Sequence, residues 1–287
     1  MNGDEIYFID YSILPESFSE INNPCLTIKY LLYWKGDFVF NLLKTHYMTE
    51  TKKKTKEPDF GVDVEEMAQV GLHFGHKTSK IHPKMKPYLF GARNAIHIID
   101  LEKTAEKFKE ALNFISQLIS ENKVLLLIGT KVQIKEMVKS TAKECDLPYV
   151  SERWLGGTFT NFETIRKRID YFKDLEKKKA AGELEKYTKK ERAEIDKKLK
   201  ELEIKVGGIK NLAGFPEAVF VLDVRKDLLA VKEARKKGIK IIALTDTNSD
   251  PSMADYPIPA NDDAVSSVKY ILEKVKEVVL KTKPKAK

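Results

Sequence analysis

From Ile96 onward, short apolar runs alternate with amphipathic stretches. IHIID reads as a strand and Leu101 to Ser120 as a helix; VLLLIG then reads as a strand, with a helix through Val132 to Lys143 after it. The rhythm resumes with the strand AVFVLDV (218–224), the helix KDLLAVKEARKKG (226–238), the strand IKIIAL (239–244) and a last helix from Asp262 to about Leu280. Runs such as LLLI and VFVL are apolar throughout rather than alternating, the pattern of strands buried on both faces. The prediction is an α/β body: a doubly wound parallel sheet between two helical layers.

Between the two halves the period changes. Phe162, Ile165, Ile169 and Phe172, then Ile195, Leu199, Leu202 and Val206, recur at spacings of three and four, which are heptad seams. Residues 163–203 hold 14 basic and 11 acidic side chains, so only a narrow stripe is available for burial, and Gly182 marks a reversal. This predicts an inserted antiparallel coiled-coil helical hairpin over residues 159–206, projecting from a body built of 63–158 and 207–281. Residues 48–62 read as a polar linker, and 282–287, within KTKPKAK, as a basic tail. Residues 1–47 lack a clean period and end at Met48. The segment is read either as an extension with its own partner or as the product of a start assigned too far upstream, and the second reading is preferred.

Charge sharpens the picture. The formal net charge is +8, yet residues 1–47 carry six acids against three lysines, so the basic excess belongs to the rest. Cys25 and Cys145 are too few for a disulfide framework, which points to a reducing cytosol. Leu26 to Leu43 is broken by Lys29, Lys35, Asp37 and Asn41, so neither a signal peptide nor a membrane span is read there.

The segment GLHFGHKTSKIHPKMKPYLFGARNAIH (71–97) contains Lys77, Lys80, Lys84, Lys86 and Arg93 and no acid among its 27 positions. His73, His76, His82, His97, Phe74, Tyr88 and Phe90 are interleaved, and Gly75, Gly91, Pro83 and Pro87 argue against a continuous helix or strand. It reads as a shaped basic loop whose cations neutralise phosphates while planar side chains stack on unpaired bases. The bland alternative is a solvated charged face.

Other chemistries have less support. Neither GxGxxG nor GxxxxGK[ST] occurs, and Gly129-Thr130-Lys131 after VLLLIG lacks the glycines of a phosphate cradle. Asp100, Asp223 and Asp246 follow three strands and could form an acidic metal site. The preferred account is that Asp100 and Asp223 cap the following helices while Asp246 and Asp250 order the turn TDTNSDP. His73, His76, His82 and His97 could ligate zinc, but no cysteine is near, and contact with RNA is preferred. Cys145 reads as a small buried apolar group, and no nucleophile–base pair emerges. A free RNA-binding or coiled-coil adaptor stays open.

HFGHKT followed by HPKMKPYLFGARNAIHIIDLEKT resembles the first signature of the small-subunit ribosomal protein two family, in its bacterial form. RWLGGTFTNFETIRKRI (153–169), GIKNLAGFPEAVFVLDVRKDLLAVKEARKKGI (208–239), TDTNSDP and DYPIPANDDA agree in order, from about Asp63 to Leu280. The resemblance implies a flavodoxin-like sheet with an inserted coiled-coil hairpin, and a place on the solvent side of the small subunit near the junction of head and body. It also implies a non-enzymatic, cytoplasmic role with small-subunit rRNA and neighbouring ribosomal proteins as partners, among them the large ribosomal protein one. No cofactor, membrane or small-molecule substrate is implied. By position, Lys77, Lys80, Lys84, Lys86, Arg93, Asn94, Arg153, Asn161, Arg166 and Arg168 become candidates for rRNA contact, with His76, Tyr88 and Trp154 as candidate stacking rings. Where many members carry Trp-Asn before Pro-Lys-Met, this chain has Ile81 and His82. Trp154, beside Gly156 and Gly157, is also read as a plug in the joint between hairpin and body, and that reading is preferred for its larger burial.

Overall fold

A computed structural model describes residues 60–283, Ala213 excepted. The chain divides into two units, Met1–Pro58 and Asp59–Lys287, and all described residues belong to the second. The readings for residues 1–47, most of the 48–62 linker and most of the 282–287 tail lie outside the described residues.

The body is a five-stranded parallel sheet of β4 (Leu125–Ile128), β5 (Tyr149–Val150), β6 (Ala218–Val221), β7 (Lys240–Thr245) and β8 (Tyr256–Pro259), in the order β5-β4-β6-β7-β8. Numbered within the sheet, that is 2-1-3-4-5, the flavodoxin-like order, with its switch point between β4 and β6. Side chains alternate between two cores. Leu125, Leu127, Phe220, Ile242, Leu244 and Ile258 share one cluster with α2 (Leu101–Ser120), α3 (Lys135–Glu144) and α7 (Val265–Thr282). Leu126, Ile128, Val219, Val221, Ile241 and Ala243 share the other with α4 (Phe162–Ala180), α5 (Lys189–Val206) and α6 (Leu228–Lys237). Because both faces are covered, both alternating sets must be apolar, and the strands read as unbroken runs.

Local chemistry sets the helix ends. The Asp100 carboxylate accepts the N–H of Glu102 at 3.1 Å and so caps α2. Thr188 and Glu191 form a reciprocal capping box at α5. Gly238 closes α6 at φ +70°, its N–H returning to Ala234. Between α4 and α5 lie Gly182, at φ +72°, and a 3-10 turn Glu183–Lys186. Ile165, Ile169, Phe172 and Leu175 of α4 and Leu199 and Val206 of α5 are buried, whereas Phe162, Ile195 and Leu202 are half-buried at the edge of the same cluster.

Two expectations are corrected. The basic segment is not a loop. After α1 (Val64–Gln69) it forms a second, three-stranded antiparallel sheet of β1 (Phe74–Lys77), β2 (Leu89–Arg93) and β3 (Ile96–Ile99), in the order β1-β3-β2, with a 3-10 turn Pro83–Tyr88 between β1 and β2. The prolines sit in that turn, where a missing N–H costs nothing. Accordingly IHIID, read as the first strand of the parallel sheet, belongs to this small sheet. A short apolar run does not specify its pairing partner.

Candidate functional site

Antiparallel pairing puts directly opposed residues on one face. Lys77, Ile96 and Arg93 form one row across β1, β3 and β2, and Phe74, Ile98 and Gly91 form the next. Lys77 and Arg93 are exposed, Phe74 is 49% exposed and Ile96 36%. A Cβ built on Gly91 would meet nothing within 4 Å, so that row is open above its backbone. Phe90 beside it is 82% exposed. The β2–β3 connection is the pair Asn94 and Ala95, both at positive φ (51° and 60°), as a tight two-residue hairpin requires. Ile99, on the other side of β3, is buried. The result is an exposed platform of apolar side chains flanked by two cations.

The remaining candidates fare unequally. Lys80, Lys86 and Asn94 are exposed, and Tyr88 is half-buried at the end of the 3-10 turn. Lys84 is bound within the fold: its ammonium donates to Asp250 Oδ2 at 2.9 Å and Ser252 Oγ at 2.6 Å. Burial alone would raise the Asp250 pKa, but the hydrogen bonds from Ser252 and Lys84 hold it at about 2. Arg153, Asn161, Arg166 and Arg168 are exposed on the loop before α4 and on α4 itself, a second group apart from the small sheet in sequence.

Trp154 takes the preferred of its two readings, a buried plug, and not the stacking one. It is 6% exposed and meets Phe159 edge-on at 4.9 Å, while its Nε1 lies 3.5 Å from Glu233 Oε1. A ring so buried has no face for a base. Glu233, which sequence reasoning missed, gathers this joint: its carboxylate accepts N–H groups from Gly157 at 2.8 Å, Phe159 at 3.0 Å and Thr160 at 3.3 Å. Burial pushes its pKa up, yet these bonds outweigh that and leave it below the ordinary glutamate value. Its one sequence signal is an acid falling among the buried Ala230, Val231 and Ala234 of α6.

His76 is anchored within the protein. Its ring edge is taken up by the protein: Nδ1 donates to Asp246 Oδ2 at 2.9 Å, and Nε2 lies 3.4 Å from Asp263 Oδ2 and 2.8 Å from Asn248 Nδ2. The Asp246 hydrogen bond, aided by the charges of Asp263 and Asp262, raises its pKa against the effect of burial. The four histidines do not converge. His73 lies against Phe74, and His82 sits near Asp250 with its Nδ1 accepting the N–H of Lys84. Among the described residues, the group spaced to hold a metal ion is His76, Asp246 and Asp263.

His76 and Asp263 of that group border a crevice of about 320 Å³ at the carboxyl ends of β4 and β6, where doubly wound folds bind ligands. Here its wall is an ion network. Lys131, just after β4, donates to Asp262 Oδ1 at 2.7 Å and Asp263 Oδ1 at 2.8 Å and pairs with Asp223 Oδ2 at 3.0 Å across the switch point. Burial lowers the Lys131 pKa, but the carboxylates raise it well above the ordinary lysine value. Burial, together with Asp223 and Asp246, lifts Asp262 to about 7. Asp223 Oδ1 also accepts the N–H groups of Arg225 and Lys226, ordering the turn before α6 rather than capping the helix, whose N-cap is Asp227. Asp100, at the start of α2, is not among the residues lining the crevice, so the sequence-based metal set of Asp100, Asp223 and Asp246 is not assembled there. Cys145 is buried in the core, and burial pushes its thiol pKa up.

Comparison with known families adds one finding: the sequence profile described as Ribosomal protein S2 matches residues 67–282. The match takes in the small sheet, every strand of the parallel sheet and α2 to α7, well over half of the chain, and on that extent the chain belongs to the ribosomal protein S2 family.

Proposed function

We propose that this protein is a structural, non-enzymatic component of the small ribosomal subunit that binds small-subunit rRNA through the outer face of its small antiparallel sheet. The observation that carries the reading is the row Lys77–Ile96–Arg93 in a segment without a single acid, beside exposed Phe74 and Phe90. The cations bind phosphates, and the rings offer stacking surfaces in the open space over Gly91. Lys80, Lys86, Asn94 and Tyr88 extend this surface. Arg153, Asn161, Arg166 and Arg168 make a second contact, and α4 with α5, acting as a coiled-coil hairpin, reaches neighbouring ribosomal proteins, including ribosomal protein one. Its place is the cytoplasmic ribosome. No helix among the described residues is long and apolar enough to cross a membrane.

The test is binding of the purified chain to small-subunit rRNA over a salt series. Replacing Lys77 and Arg93 with Gln lowers the slope of log affinity against log salt by about 2, one for each lost phosphate contact. Lys84→Gln changes the slope less, because that ammonium is already held by Asp250. An unchanged slope in the Lys77/Arg93 double variant removes the small sheet from the interface.

A further inference from the structure

The crevice at the switch point and the residues behind it gather four carboxylates around Lys131 and His76. Asp223, Asp246 and Asp262 are buried and Asp263 lies at the mouth, whereas Lys131 is the one lysine within bonding distance of any of them among the described residues. Arg225 and Lys226 line the rim and bond to Asp223 through their backbone N–H groups, not through their side-chain charges. His76 is held with one ring nitrogen spoken for, since Nδ1–H is committed to Asp246 at 2.9 Å.

The other nitrogen is the telling one. Asn248 turns its Nδ2 toward His76 Nε2 at 2.8 Å, while its Oδ1 accepts the Ser249 hydroxyl at 2.9 Å. An amide nitrogen only donates, so in this orientation Nε2 carries no proton and its lone pair accepts the Asn248 N–H, a bond that an incoming metal ion displaces. The same nitrogen lies 3.4 Å from Asp263 Oδ2. Two ligands of one tetrahedral ion, each about 2.1 Å from it, stand about 3.4 Å apart. A carboxylate on Nδ1–H is also how proteins orient a histidine whose opposite nitrogen binds a metal.

We propose that the ribosomal body carries a divalent transition-metal site here, of the kind Zn²⁺ takes, with His76 Nε2 and Asp263 Oδ2 as protein ligands, Asp246 as the positioning residue and water completing the shell. Imidazole nitrogen beside carboxylate oxygen suits Zn²⁺ better than Mg²⁺, which prefers oxygen alone. With two protein ligands the site is open and exchangeable, and it joins β1 to the loops after β7 and β8. This inference does not depend on the RNA-binding reading, because the ion is held by the protein alone.

The experiment titrates the full-length chain with Co²⁺, followed by its visible absorption, and then displaces it with Zn²⁺. A saturable step with visible bands is expected. Asp263→Asn weakens that step at least tenfold; Asp263 is 63% exposed, so this change leaves the fold intact and isolates the ligand. His76→Ala abolishes the step, Asp246→Asn weakens it by about 10- to 100-fold, and His82→Ala leaves it unchanged. Absence of a saturable step, or one that Asp263→Asn and His76→Ala leave untouched, overturns the proposal.

Discussion

Glu233 of α6 accepts the backbone N–H of Phe159 at 3.0 Å, tying a helix to the loop that leads into α4 across 74 positions of chain. One carboxylate thereby answers three N–H groups that no regular element satisfies.

Glu233→Ala leaves those donors without an acceptor and lowers unfolding free energy by about 3 kcal/mol, measured by denaturant titration. Glu233→Gln keeps one acceptor oxygen and costs less. The folded pKa lies below the unfolded one, so this stabilisation is full above the ordinary glutamate range, near about 4.3, and is lost as pH falls through the folded value. Wild type and Glu233→Gln therefore converge in stability in acid. Curves that stay parallel to low pH would remove the carboxylate from the account.

Gly157 sits at φ +92° and donates to Glu233. Gly157→Val forces a β-branched side chain into that conformation at a cost of about 1–3 kcal/mol. It loosens the joint, so limited proteolysis cuts faster between Arg153 and Asn161. An unchanged cleavage rate at those sites would contradict the geometry.

Gly75 lets β1 pass close to the end of β7. A Cβ there would stand 2.4 Å from Thr247 Cγ2 and 3.2 Å from the His97 carbonyl oxygen. Gly75→Ala is expected to cost about 1–3 kcal/mol through overpacking. Adding Thr247→Ser removes the nearer methyl but keeps the hydroxyl that accepts the His76 N–H, so the double variant recovers part of the loss. Additive effects of the two substitutions would place the strain elsewhere.

Asp227 is buried, and burial lifts its carboxyl to about 6 despite hydrogen bonds from the Thr130 hydroxyl and N–H. A folded pKa above the unfolded one gives stability that is present below the unfolded value, near about 3.9, and lost as pH rises through about 6. Asp227→Asn mimics the protonated form. The variant should match wild type near pH ~4 and exceed it at pH ~7.5 by on the order of 2 kcal/mol, read from denaturant midpoints. A variant no more stable at the higher pH would show that the carboxylate is better solvated than its burial suggests.

Strands β4, β6 and β7 were legible because burial on both faces demands unbroken apolar runs, and the helices because their apolar stripes are long. β5 and β8 escaped notice: one has two residues, and the other, YPIP, contains two prolines. The basic surface could be read as an absence of acids, but its sheet could not, because β3 pairs with strands separated from it by turns. Least visible were contacts between distant positions. Lys84 spends its charge on Asp250, His76 leans on Asp246, and Glu233 serves a loop in another part of the chain. Local patterning carries no trace of such pairings.

The two rims of the parallel sheet have a consequence for the chain before it finds a partner. On one side β5 is only two residues long, with Gly208 packed against the Tyr149 carbonyl; on the other, Pro257 and Pro259 of β8 lack N–H groups altogether. A second molecule approaching edge to edge finds little ladder to extend. Newly made copies in excess of their docking places are thereby spared a common route to aggregation.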